Sequence, residues 1–272
     1  LSLVEARLQS HVAAQWLARA ARAYIAPKPD YSHTSLSWDQ EVGGLCTQPV
    51  EPYGTRIALS LSPLTIEFRG RIHDRLELHG KNESDVGIWL KQALGKCDVD
   101  GGALDQYYPD ELIGHAIQQG GGYNETQLEA ARHEISNWYA NAALVLSAVE
   151  TRCRQIRPGP SPVRCWPHHF DMATLIALDD GDPERARSIG VGLSPGDLSY
   201  AEPYYYVTPW PYPTESQLPS LGPLGRWHRD GFVAAIASAD RIVATDQQHR
   251  AVDEFLKRAV GACMEVLSFE PS

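Results

Sequence analysis

The octapeptide RIALSLSP at 56–63 has a close counterpart in SIGVGLSP at 188–195. In both stretches apolar residues alternate with small or polar ones, which is the pattern of a half-buried β-strand. The apolar positions fall in the same phase: Ile57, Leu59 and Leu61 in the first stretch, and Ile189, Val191 and Leu193 in the second. The two stretches therefore predict two equivalent strands, as expected if the chain contains two copies of one unit.

Further similarities flank the octapeptides in the same order. IAPKP at 25–29 corresponds to IRPGP at 156–160, Trp38 to Trp166, and LKQALGKC at 90–97 to LKRAVGAC at 256–263. The shared order favours an internal duplication over chance echoes between proline-punctuated segments. The sequence predicts a first repeat lobe at 1–97, a connector at 98–125 and a second repeat lobe at 126–272.

Each lobe has the periodicity of helices at its ends and strands between them. The four-residue spacing of Leu8, Val12 and Trp16 predicts a helix over 3–25 with one apolar stripe, which the following prolines end. Short connections between strands are typical of antiparallel sheets. The predicted fold class is α+β, an internal duplication of an α-β-β-β-β-α unit with antiparallel sheets and helices packed on one face. Besides the octapeptides, strands are predicted at 65–69, 75–79, 202–208 and 232–238, and closing helices from Ser84 and from Thr245.

Composition excludes several classes of partner. The formal net charge of −10 is spread along the chain and argues against binding to nucleic acid. No apolar run has the length of a membrane helix, so no membrane association is expected. The five cysteines lie far apart without a CxxC pair, which favours a reducing compartment and a cytoplasmic location.

The second lobe departs from the first at CWPHHFDMA, residues 165–173, where the first copy reads SWDQEVGGL. If this stretch is a strand, His169 and Asp171 share one face and form a carboxylate–imidazole pair. Such a pair can act as a general base or supply two ligands to a divalent metal. A buried histidine satisfied by an aspartate is the alternative interpretation.

A second departure is YAEPYYYVTPWPYP at 200–213. An extended chain would place Glu202, Tyr204, Tyr206, Thr208 and Trp210 on one face, and such a row can line a pocket for a polar or aromatic ligand. The alternative is an aromatic sheet face covered by a helix. The prolines suggest a stiff edge strand. Downstream, His228 in GRWHRDGF is a further candidate ligand-binding residue.

The run SPVRCWPHHFDMA at 161–173, followed by the Tyr/Pro-rich segment, resembles an uncharacterised bacterial family, a domain of unknown function of similar length. At His168 and His169 that family carries small residues, so the resemblance does not support a family-wide histidine mechanism. It implies a fold and no reaction. The matching positions are Ser161, Pro162, Val163, Phe170, Asp171 and Ala173.

These observations predict a protein that binds a small polar or aromatic ligand in the second lobe. If it is an enzyme, hydrolase or lyase chemistry is expected, with His169 as base, Asp171 orienting it and Glu202 as acid or ligand, assisted by a divalent metal on His169 and Asp171. The alternative function is a non-catalytic interaction or homodimerisation module that uses the Tyr/Pro/Trp-rich strand at 200–213. Core packing alone is the third interpretation.

Overall fold

The computed structural model describes residues 2–50, 54–106, 114–182, 185–213 and 218–268. The chain divides into two compact units. The first unit comprises Leu1–Ala140 and Cys165–Phe170, and the second comprises Asn141–Arg164 and Asp171–Ser272. None of the helices in the described ranges combines the length and the apolar character that a bilayer crossing requires.

The first unit combines long helices with a five-stranded antiparallel sheet whose strands follow one another in chain order. Its strands are β1 (Ser37–Asp39), β2 (Gly44–Cys46), β3 (Arg56–Leu61), β4 (Leu64–Arg69) and β5 (Asp74–Glu77). Its helices are α1 (Ser2–Tyr24), α2 (Glu83–Lys96) and the first part of α3 (Glu129–Cys153), whose residues from Asn141 belong to the second unit.

The second unit is an antiparallel sheet followed by a long helix. Its strands lie in the order β11-β12-β10-β9-β8-β6, and helix α5 contacts β9, β10 and β12. The elements are β6 (Gly159–Pro160), β7 (Arg164–Trp166, which carries residues of both units), β8 (Asp171–Ala177), β9 (Ser188–Ser194), β10 (Tyr204–Trp210), β11 (Arg226–His228), β12 (Ala234–Ser238), α4 (Ala239–Val243) and α5 (Gln248–Val266).

The α+β class with antiparallel sheets is confirmed. The octapeptides form β3 and β9, and each is followed in the sheet by the next long strand of its own unit. The first sheet has five strands, and β1 and β2 are not among the strand ranges predicted for this lobe, because both are only three residues long and give no periodic signal. The duplication itself stays a prediction.

Two elements are more deeply buried than their patterns predict. Helix α1 is buried all round from Val12 to Ala21, because its many alanines let neighbouring elements approach on every side. In β3 the small residues Ala58 and Ser60 are buried along with the apolar ones, so the strand is covered on both faces.

The closing helix of the second unit starts later than predicted. Helix α5 begins at Gln248, whereas Thr245, the predicted start, donates its hydroxyl to the carbonyl of Ile242 near the end of α4.

A buried arginine joins three segments of the first unit. The side chain of Arg132 on α3 is fully buried, and its Nε lies 2.9 Å from Glu125 Oε1. Its Nη1 donates to Ser10 Oγ at 3.2 Å and its Nη2 to Gln9 Oε1 at 2.7 Å, both on α1. Burial raises the pKa of Glu125, and the neighbouring guanidinium of Arg132 opposes that rise. The pair is therefore a buried charge network that requires both of its partners.

We expect Arg132→Met to lower the free energy of unfolding by about 3 kcal/mol, because it leaves the Glu125 carboxylate half-buried without its counter-charge. Adding Glu125→Gln should recover part of the loss. The control is Arg75→Met, whose arginine is half exposed beside Glu77 and should cost less than about 1 kcal/mol. Urea denaturation measures all three variants, and an equal loss for Arg132→Met and Arg75→Met would contradict the role assigned to the network.

In the second unit, Arg187 links the loop between β8 and β9 to the end of α5. It pairs with both carboxylate oxygens of Asp179 at 2.8 Å, and its Nη1 donates to the carbonyl oxygens of Leu267 and Ser268 at 3.0 and 3.2 Å. Leu267 is the C-terminal cap residue of α5. One guanidinium therefore satisfies carbonyls that a helix end leaves without intrahelical donors.

The hydrogen bonds from Arg187 lower the pKa of Asp179 to about 2. Since an unfolded aspartate has a pKa of about 3.9, the pair stabilises the fold above about pH 4, and that stabilisation is lost as the pH falls through the folded value. We expect Asp179→Asn to lower the Tm at neutral pH and the difference from the parent protein to vanish near pH 2. Thermal unfolding followed by circular dichroism across this range tests it, and a difference independent of pH would contradict it.

Candidate functional site

Tyr206 lies across strand β9 and reaches the carboxylate at the start of β8. It is opposite Gly192 in the β9–β10 register, and its hydroxyl donates to Asp171 Oδ2. A Cβ at Gly192 would lie 2.5 Å from Tyr206 Oη and 2.7 Å from the carbonyl oxygen of Met172. The phenol therefore occupies the place that a side chain at 192 would take.

Two more tyrosines extend this arrangement into the tyrosine row, which consists of Tyr200, Tyr204 and Tyr206. The ring centroids of Tyr200 and Tyr204 are 4.8 Å apart, and those of Tyr204 and Tyr206 are 6.3 Å apart. Tyr204 donates to Asp197 Oδ2 at 2.5 Å. Burial is the largest of the influences that raise the pKa of Tyr204, and the hydrogen bond to Asp197 adds to it. Every hydroxyl of the row has a defined partner, so the rings are fixed in place.

His228 supports the row through Tyr200. Its Nδ1 lies 2.8 Å from the Tyr200 hydroxyl, and its Nε2 lies 2.7 Å from the carbonyl oxygen of Asp230. Because a carbonyl oxygen only accepts, Nε2 carries a proton, and in the neutral imidazole Nδ1 accepts from Tyr200. The ring also packs on Phe232 at 4.1 Å. Both nitrogens of His228 are therefore used to hold a neighbour.

An arginine side chain lies on the end of the row. The guanidinium carbon of Arg226 is 5.3 Å from the centroid of the Tyr200 ring, which is within the range of a cation–π contact. Arg226 is exposed to solvent, and the rings of Tyr200 and Tyr206 are half-buried. The row thus has carboxylates at its phenol oxygens and a cation on an aromatic face.

Of the residues predicted from the sequence, the structure brings Asp171, Tyr204, Tyr206 and His228 to this row. Glu202 is exposed and precedes the strand, which begins at Tyr204. Trp210 ends the strand, is 38% exposed and packs edge-on against Tyr212, with ring centroids 5.2 Å apart. The candidate site is therefore concentrated at the beginning of β10.

The prediction of one continuous strand through 166–172 is wrong. Residues 167–170 form a turn in which the amides of His169 and Phe170 both donate to the carbonyl of Trp166. Phe170 adopts a left-handed φ of 54°, which no strand residue has. His169 is exposed in the first unit and Asp171 begins β8 of the second, so they do not share a strand face.

The turn at 167–170 is held within the first unit. Leu36 and Cys165 exchange backbone hydrogen bonds of 2.9 and 2.8 Å. The Pro167 carbonyl accepts from Gln15 Nε2 and His11 Nε2, each at 2.7 Å. Burial lowers the pKa of His11 to about 4, so this imidazole is neutral at physiological pH and its Nε2 donates. The segment 166–170 is thus a turn held in place by hydrogen bonds from side chains of α1.

The sequence also predicted a divalent metal site and an edge strand. Within the described part of the chain, no group of three or more histidine, cysteine, aspartate or glutamate side chains is placed to hold a metal ion. The prediction that 200–213 is an edge strand is wrong, because Tyr204–Val207 pairs with both β9 and β12. Pro209 is accommodated because it lies beyond the stretch paired with β12.

Sequence reasoning missed Tyr200, Asp197 and Arg226 as parts of the row. Their contacts join separate loops and strands, and no local pattern reports them. A signal was present at Gly190 and Gly192, since the first octapeptide has Ala58 and Ser60 at the corresponding positions. Glycine within a strand often marks the close approach of another group.

The sequence matches no protein-family model, and searches of curated proteins and of solved structures return no match. The resemblance to an uncharacterised bacterial family therefore stays a prediction.

We expect Gly192→Ala to destabilise the protein by about 2 kcal/mol, because its Cβ would collide with the Tyr206 phenol and with backbone. Gly190→Ala is the matched comparison, since its Cβ would meet the Thr208 methyl group at 2.9 Å but no backbone atom closer than 3.9 Å, and it should cost less, about 1 kcal/mol. Urea denaturation compares the stabilities, and near-ultraviolet circular dichroism reports the tyrosine environment. A larger loss in Gly190→Ala would contradict the packing described.

Proposed function

We propose that the second unit binds a small ligand carrying a cationic nitrogen, an ammonium or guanidinium group, over the tyrosine row, without catalysing a reaction on it. The observation that carries this proposal is the position of Arg226, whose guanidinium lies 5.3 Å from the Tyr200 ring centroid. This intramolecular contact supports the proposal, because the guanidinium already lies within cation–π range of the ring face.

The chemistry around the row supports a cationic ligand. Aromatic faces attract cations through their quadrupoles, and several rings together form the kind of cage that recognises organic ammonium groups. The carboxylates of Asp171 and Asp197 accept hydrogen bonds from Tyr206 and Tyr204, which places negative charge beside the phenol oxygens. The net charge of −10 also attracts cations over a longer range.

The arrangement of the histidines favours binding over acid–base chemistry. A general base needs a nitrogen that can reach the substrate proton, and both nitrogens of His228 are engaged with Tyr200 and Asp230. His169, the base predicted from the sequence, lies in the exposed turn of the first unit. Addition of a partner strand along Tyr204–Val207 is not favoured, since both sides of that stretch are paired.

A cytoplasmic location is part of the proposal. All five cysteines are buried thiols, and burial raises the pKa of Cys46 to about 12. Cysteines that are free and buried suit a reducing compartment.

The test uses ethylguanidinium as the cationic probe and ethylurea as its neutral counterpart of similar shape. Removing the internal cation with Arg226→Ala should expose the Tyr200 face and tighten ethylguanidinium binding about fivefold, because a cation–π contact of this kind is worth that much. Arg226→Ala/Tyr200→Leu should lose the gain. Ligand-observed NMR titration measures the dissociation constants.

The matched control is Arg250→Ala, which removes one exposed arginine from α5 and makes the same change in net charge. Its affinity for ethylguanidinium should equal that of the parent protein. The proposal would be rejected if Arg226→Ala and Arg250→Ala behaved alike, or if ethylurea bound as tightly as ethylguanidinium.

A further inference from the structure

A groove of about 900 Å³ lies within the first unit, beyond the end of α1. This volume is within the range of small-molecule sites. We call it the Tyr31 groove. The side chains in its lining that matter here are Arg22, Lys28, Tyr31, His33, Trp166 and His168.

The charge of the Tyr31 groove is opposite to that of the whole chain. Arg22 and Lys28 contribute positive charges, and Asp30 is the acid in the lining. The Asp30 carboxylate is directed to the backbone, where its Oδ1 accepts from the amide of Ser32 at 3.1 Å. A chain with a net charge of −10 thus presents a locally positive concave surface.

Tyr31 is unusual in both exposure and backbone conformation. Its side chain is 72% exposed, and its φ of 55° lies in the left-handed region that favours glycine. Its ring lies 6.3 Å from that of His33, at an angle of 29°. A large aromatic residue kept exposed in a strained conformation is the kind of outlier that points to function.

The remaining rings complete an aromatic and hydrogen-bonding surface. Trp166 meets His168 edge-on, with centroids 6.2 Å apart. His33 Nδ1 accepts from the amide of Lys28 at 3.1 Å, and burial lowers the pKa of His33. The neutral imidazole therefore carries its proton on Nε2, where it can serve as a donor.

From these observations we infer that the Tyr31 groove binds a small aromatic anion, a flat ring that stacks on Tyr31 and carries a phosphate or carboxylate held by Lys28 and Arg22. Stacking and cationic hydrogen-bond donors each recognise one half of such a molecule. The inference concerns the first unit alone and does not rest on the proposed function of the tyrosine row.

The main probe is 1-naphthyl phosphate, which carries both the ring and the anion. Two further probes carry one half each: 1-naphthol has the ring without the phosphate, and inorganic phosphate has the anion without the ring. Calorimetric titration of the full chain should give saturable binding of 1-naphthyl phosphate and weaker binding of the other two. Lys28→Glu should weaken 1-naphthyl phosphate binding about fivefold. Lys81→Glu, a partly exposed lysine before α2, carries the same charge change and should leave binding unaltered.

Tyr31→Gly separates a ligand-binding role from a structural one. Glycine is favoured at this φ, so the variant should keep or raise the Tm while it weakens 1-naphthyl phosphate binding. The inference is overturned if 1-naphthyl phosphate shows no saturable binding at millimolar concentration, or if 1-naphthol or inorganic phosphate binds as tightly as 1-naphthyl phosphate does. It is also overturned if Lys28→Glu and Lys81→Glu weaken the binding of 1-naphthyl phosphate equally, or if Tyr31→Gly leaves that binding unchanged.

Discussion

The ion pair between Arg132 and Glu125 is the constraint on which the first unit depends. A guanidinium without solvent must place its N–H groups on acceptors, and here Gln9 and Ser10 on α1 accept hydrogen bonds while the carboxylate of Glu125 supplies the counter-charge. Gln9 is itself held, because its amide donates to Glu5 at 2.7 Å. Apolar packing could tolerate a slight rotation of α1, whereas this set of directed bonds fixes the helix in one orientation.

In the second unit the main constraint is the placement of large polar rings on a sheet. Tyr206 lies over Gly192, so its ring remains close to the sheet. The phenol hydroxyls of the row are hydrogen-bonded to the carboxylates of Asp171 and Asp197 and to the imidazole of His228. The cationic ligand proposed above would require little rearrangement of such a surface, which would reduce the entropic cost of binding.

The sequence predicted those features that repeat locally. The alternation in both octapeptides gave β3 and β9, and the four-residue spacing near the start gave α1. At 165–173 the same rule of alternation failed, because Pro167 and the left-handed Phe170 form a turn held by His11 and Gln15, which are remote in sequence. For the row, the face of β10 was predictable, but the contributions of Tyr200 and Arg226 depend on contacts between distant segments.

The close approach of Tyr206 to Gly192 links the two positions in any related chain. The space above β9 is a shared volume, so a bulkier residue at 192 requires a smaller one at 206. Related sequences would then show these positions changing together, and each alone could look variable. Paired substitution at 192 and 206, more than conservation at either position, would mark the chains that keep this row.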